Sequence, residues 1–256
     1  MLNIYISTIA TDAEDVAREY GFGLEIAEFC TAFNMDEDFA TWDAQVRAKM
    51  QSAERFIFHA PFNELCPAAI DPMIVKVAER RYEQAYKLMC GYGINTMVVH
   101  SGFIPMVYYE DWFVSRSIEF WKRFLSDKPG DFRLYLENVL EDSPKMLCEI
   151  VAGVDDPRFR LCLDIGHAAI VGRETPLTEW AERMLPLLGH VHLHNNYAER
   201  DNHNALGDGS IDIAPLLRMI TEMAPAVTFT IETAISGKPS ADWLRTNGFL
   251  GCQGTP

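Results

Sequence analysis

Eight short apolar runs recur along this 256-residue chain, and a helical or looped segment follows each. The runs cover residues 2–7, 23–27, 55–60, 96–100, 133–137, 160–164, 190–194 and 227–232. Their length suits strands. Helical patterns over 12–20, 36–54, 72–92, 111–125, 144–151, 178–188, 211–222 and 240–246 alternate with them. In the third of these, Ile74, Val77, Ala78, Ala85 and Leu88 keep helical spacing, and Gly91 and Gly93 stop it. No composition shift or Pro/Gly/Ser linker divides the chain. The alternation therefore predicts an α/β fold, a single (β/α)8 barrel over residues 1–256. An open doubly wound sheet would need a glycine-rich phosphate loop after the first strand. Ser7-Thr8-Ile9-Ala10 is not one.

Bulk properties narrow the function classes. A hydrophobic content of 48% is enough for a large core. Cys30, Cys66, Cys90, Cys148, Cys162 and Cys252 are scattered without a Cys-x-x-Cys pair. That predicts reduced thiols in the cytoplasm and not a disulfide framework or a cysteine zinc site. The start Met-Leu-Asn-Ile-Tyr-Ile-Ser lacks a basic region and reads as a strand, not a signal peptide. No stretch reaches the length of a membrane span. The net charge of −15 disfavours nucleic acid, because the basic residues do not cluster.

Strand ends carry the chemistry. The third to eighth strands end in His59, His100, Glu137, Asp164, His192 and Glu232. Parallel barrel strands bring these ends to one face, where barrel active sites lie. His167 sits three residues past Asp164, and Asp201 and His203 lie on the loop after the seventh strand. Any one of the nine reads equally well as a satisfied core or surface group. Nine converging titratable groups without a metal would cost too much desolvation. His194 is expected to point to the opposite side of its strand from His192, toward packing, and is left out of the site. Imidazoles mixed with carboxylates suit zinc or manganese.

The motifs are also familiar. His-Ala-Pro-Phe, Val-His-Ser-Gly, Leu-Glu-Asn, Leu-Asp-x-x-His-Ala, Val-His-Leu-His-Asn, Asp-x-His-x-x-Leu-Gly-x-Gly and Ile-Glu-Thr stand in order from His59 to Glu232. The set resembles the endonuclease IV branch (AP endonuclease family 2) of the xylose isomerase-like TIM-barrel superfamily. The resemblance implies three ions, zinc with manganese as the variant. One would be held by His59, His100 and Glu137. A second would share Glu137 with Asp164, His192 and Glu232, and a third would take His167, Asp201 and His203. It further implies catalytic roles for Glu137, Glu232 and His167, and phosphodiester hydrolysis by a hydroxide bridging two ions.

Two other functions compete. Superfamily isomerases and epimerases use one ion, on the equivalents of Glu137, Asp164, His192 and Glu232. They add a second carboxylate, which in the epimerases lies six residues after the first. That position here is Ser143, with Glu141 and Asp142 nearby. A DNA-repair role calls for basic loops, and the loops over 8–12 and 28–38 have no Lys or Arg. The expected partner is a small phosphorylated molecule; nucleic acid, the substrate of an AP endonuclease, is disfavoured by the net charge, and no membrane is expected.

Overall fold

A computed structural model of the chain describes residues 2–172 and 174–250. Eight strands form a closed, all-parallel barrel in sequence order. They are β1 (Asn3–Ser7), β2 (Gly23–Ile26), β3 (Phe56–His59), β4 (Thr96–His100), β5 (Arg133–Glu137), β6 (Phe159–Asp164), β7 (Leu188–Leu193) and β8 (Thr228–Ile231). Among the described residues, nine α-helices lie between and after them. These are α1 (Ala13–Tyr20), α2 (Phe39–Lys49), α3 (Pro72–Gly91), α4 (Glu110–Leu125), α5 (Lys145–Val154), α6 (Ile165–Val171), α7 (Leu177–Met184), α8 (Ile213–Met223) and α9 (Lys238–Thr246). The predicted (β/α)8 architecture is the one observed. Among the described residues no helix is long and apolar enough to cross a membrane. Cys252 lies outside the described residues; the other five cysteines are free thiols.

Period-two alternation sorts the strand side chains. Ile4, Ile6, Leu24, Ile26, Phe58, Met97, Val99, Leu134, Leu136, Leu161 and Leu163 face outward and join the helices in one core. Tyr5, Ile57, Val98 and Cys162 face inward as a separate apolar cluster, with Tyr135 against it. One step further along each strand the inward positions turn polar. Pairing then fixes heights: His100 is level with Glu137, and Asp164 with His192.

Two elements depart from expectation. The pattern over 36–54 shortens to α2, because a 3-10 turn at Ala32–Met35 and a left-handed Asp38 (φ 49°) precede it. A short helix not anticipated, α6, follows β6 directly. Its N-cap is Asp164, whose carboxylate accepts from the His167 N–H.

The barrel closes where β8 meets β1, with Ile231 level with Ile6. Asp12 secures this seam by accepting from Ser236 Oγ and from Gly237 N (2.7 Å). Tyr20 and Asp242 tie α1 to α9 through a 2.6 Å hydrogen bond.

Candidate metal centre

All nine singled-out residues lie at the C-terminal mouth of the barrel. They fall into three groups in which ligand atoms lie within 4.8 Å of one another. The first is His59, His100 and Glu137, and the second Glu137, Asp164, His192 and Glu232. The third holds His167, Asp201 and His203, and His194 joins it.

Glu137 is the hub. Its Oε2 stands 3.4 Å from both His59 Nε2 and His100 Nε2. Its Oε1 stands 3.4 Å from both His167 Nδ1 and His192 Nδ1. Burial opposes its ionisation, but the His100 and His192 charges outweigh that and hold the carboxyl well below its usual range. Asp164 is likewise lowered, to about 2, where His167 and His194 outweigh burial. Glu232 is lowered by His192 against burial.

Histidine orientation follows from backbone hydrogen bonds. His59 donates from Nδ1 to the Ala60 carbonyl (3.0 Å), His167 to that of Asn138 (3.0 Å) and His203 to that of Glu232 (2.8 Å). Each imidazole thus presents Nε2 to a carboxylate. This is the tautomer a metal ligand needs when its other nitrogen is held by a carbonyl. Asp201 Oδ2 lies 3.1 Å from both His167 Nε2 and His203 Nε2. Asp201 is lowered far below its ordinary value, burial being outweighed by these two rings. His203 is raised to about 9, since Asp201 and Glu232 overcome its burial.

These residues fit a divalent ion. Both oxygens of Glu137 and both ring nitrogens of His192 are buried without an aligned hydrogen-bond partner among the described residues. Buried polar atoms are seldom left so. Ligands about 2.0–2.1 Å from a tetrahedral zinc stand roughly 3.4 Å apart, and the Glu137 contacts have that spacing. The loop from Asn195 to Ile211 brings Asp201 and His203 over the mouth. Asn195 organises it: Nδ2 donates to Leu206 O (2.8 Å), and Oδ1 accepts from Ile211 N (3.0 Å).

One expectation is corrected. His194 does not face packing away from the site. Two residues after His192, it shares that residue's parity and stays on the inward side just past the end of β7. Its Nε2 lies 3.0 Å from Asp164 Oδ1, and its ring stacks on His203 at 3.9 Å. Gly166 makes the space, since a Cβ there would sit 1.9 Å from the His194 ring.

Sequence reasoning also missed Glu25, on β2. It is fully buried, with Oε1 3.0 Å from His192 Nε2 and Oε2 accepting from Thr230 Oγ1. Glu25 thus stands against the far nitrogen of His192 without an aligned hydrogen bond, while Nδ1 faces Glu137 and Glu232. The inward parity of a charged residue between Leu24 and Ile26 was the available signal.

Comparison with known proteins gives the lineage. The sequence matches the xylose isomerase-like TIM barrel family over residues 15–250. The uncharacterized protein MJ1311 of Methanocaldococcus jannaschii is 27% identical over 187 residues, 69% of this chain and 63% of that one. The chain therefore covers less than two thirds of that relative's length. Among solved structures, a D-tagatose 3-epimerase-like protein is similar with a TM-score of 0.76 at 22% identity, over 96% of this chain and 97% of that one. The TTHB071 protein of Thermus thermophilus, soaked with ZnCl2, has a TM-score of 0.77 at 20% identity, over 97% and 98%. The 3-keto-D-glucoside 4-epimerase of E. coli has a TM-score of 0.71 at 16% identity, over 96% and 100%. At such identities these structures speak for the fold alone. With its family match, its closed parallel barrel and its histidine–carboxylate mouth, the chain belongs to the xylose isomerase-like TIM-barrel family.

Proposed function

We propose that this chain is a metal-dependent phosphodiester hydrolase acting on a small phosphodiester or phosphorylated metabolite. Zinc or manganese would be held in two or three positions by His59, His100, Glu137, Asp164, His167, His192, Asp201, His203 and Glu232. The observation that carries this reading is the crowding of Glu137, whose two oxygens face four imidazoles at 3.4 Å. A carboxylate so enclosed is held ionised by the rings around it. It is well suited to sharing cations. Bound divalent ions supply an activated water and positive charge at the phosphoryl group. Glu232 flanks His192 at 3.1 Å and orients the attacking group. His167 and His203 face the leaving side from the rim.

A second reading is a sugar isomerase or epimerase with one ion on Glu137, Asp164, His192 and Glu232. The solved relatives named as epimerases lean toward it. Glu232 shares a ligand group with Glu137 and could serve as its second carboxylate, but the one expected near Ser143 is engaged elsewhere. Glu141 is buried, bonded to Ser101 Oγ, and accepts from the N–H groups of Val139 (2.7 Å) and Leu140 (3.1 Å). It braces its own loop.

One experiment separates the two. Protein purified without chelator is assayed for metal content, then offered phosphodiesters and ketoses. More than one metal equivalent and phosphodiester hydrolysis lost on chelation are expected. Ketose epimerisation that survives His203→Ala, with the phosphodiesters untouched, would install the second reading.

A further inference from the structure

Beside the mouth, the loops after β3, β4 and β5 line an open-sided cavity of about 410 Å3 with His100 in its wall. Phe62, Leu65, Phe103, Ile104, Tyr108 and Leu140 supply most of the lining. Among the described residues, Glu64 is its one carboxylate, and no Lys or Arg lines it. The volume falls in the range of small-molecule pockets. The walls are braced before any ligand arrives. Gly102 adopts φ +73° and packs so closely that a Cβ would sit 2.4 Å from the Leu65 carbonyl. Trp112 Nε1 donates to the Ala68 carbonyl at 3.2 Å. Phe62 stacks on His100, ring centres 4.2 Å apart and planes 12° from parallel. The cavity and the first ligand group therefore share a wall.

The lining selects its occupant. An anion would find no lysine or arginine in these walls. A polyol would lose water against Phe103, Ile104 and Leu140 and regain few hydrogen bonds. A flat ring gains both burial and ring contacts. Glu64 and the net charge of −15 favour a ring that is neutral or weakly basic. We propose that this cavity is a subsite for a neutral or weakly basic aromatic group of the substrate, joined by a short linker to the group that reacts beside Glu137. The identity of the reacting group rests on the hydrolase reading; the ring subsite rests on the walls.

Two phosphodiesters sharing ethanol as the leaving group, with its release measured, test it. The second ester is methyl in one and 2-naphthylmethyl in the other, and the protein is zinc-reconstituted. The naphthylmethyl ester should show about tenfold higher kcat/KM, mainly through KM. Leu140→Asp and Ile104→Asp alter half-exposed side chains and should each erase that preference, read as the ratio of the two esters. Equal rates for the two esters, or a preference that survives both substitutions, would overturn the subsite. Calorimetry with 2-naphthylmethylphosphonate and methylphosphonate runs beside it. If neither ester is cleaved, the hydrolase reading fails, and the phosphonates decide the subsite. Roughly tenfold tighter naphthyl binding, lost in Leu140→Asp, sustains it; equal binding ends it.

Discussion

Inner and outer halves of the mouth solve the same electrostatic problem differently. Glu137, Asp164 and Glu232 put three carboxylates at strand ends, with side chains from 0 to 9% exposed, around His192. Asp201 and His203 hang from a loop and are 41% and 19% exposed. The outer half carries one carboxylate among three imidazoles. It can neutralise itself by protonating a ring, and His203 is raised to about 9 accordingly. The inner half sets three carboxylates around His192, with His59, His100, His167 and His194 as their other neighbours. We expect cations to supply the rest of its charge balance, because unpaired buried charge is severely unfavourable. On that expectation an ion is a necessity for the inner group and an option for the outer one.

The sharpest break of that contrast is Asp164→Asn. It should empty the inner site and lower turnover by roughly a thousandfold, about 4 kcal/mol of transition-state charge stabilisation. Metal analysis beside kinetics checks it; a fully loaded, active variant would contradict the necessity. Asp201→Ala should cost less, roughly 10- to 100-fold in rate, and remove one metal equivalent with the inner ions retained. Unchanged metal content would remove the outer site from the scheme. Glu25→Gln tests support at a distance. Inner-site affinity should fall about 10-fold, read by competition with a chromophoric chelator, while Asp201-dependent binding stays the same.

The smallest effect is on pH. His203 has a raised folded pKa, so in stripped protein its contribution is complete below about 6.5 and fades as pH climbs through about 9. Loaded protein should slope the other way, since ions compete with protons for the rings. Urea midpoints of both forms at pH 6 and 9.5, with Asp201→Asn flattening the stripped slope, measure it.

Much of the mouth was readable because a parallel barrel converts strand order into position around a circle. His59, His100, Glu137 and Asp164 each close an apolar run, so parity and terminus agreed. His194 obeys the same logic, since it lies two residues after His192 and so on the same face; the expectation that it faces packing ran against the alternation. Glu25 was hidden inside Leu24–Ile26, where only the far side of the barrel reveals its partners, His190, His192 and Thr230. The helix α6 has seven residues and begins without a linker, too short for periodicity to register.

We expect the seam at Asp12 to be among the last contacts to form in folding. Its hydrogen bond to Gly237 spans 225 residues, while successive strands meet neighbours close in sequence. Pairing can spread along the sheet early, but closure waits for β8, and Glu232 arrives with it. An ion meeting an unclosed sheet finds Glu137, Asp164 and His192 without their last companion. Full affinity develops only on closure, after the barrier that earlier pairing surmounts. Metal loading should therefore slow unfolding and leave the refolding rate almost untouched, making the ion a latch on a finished barrel and not a template for building one.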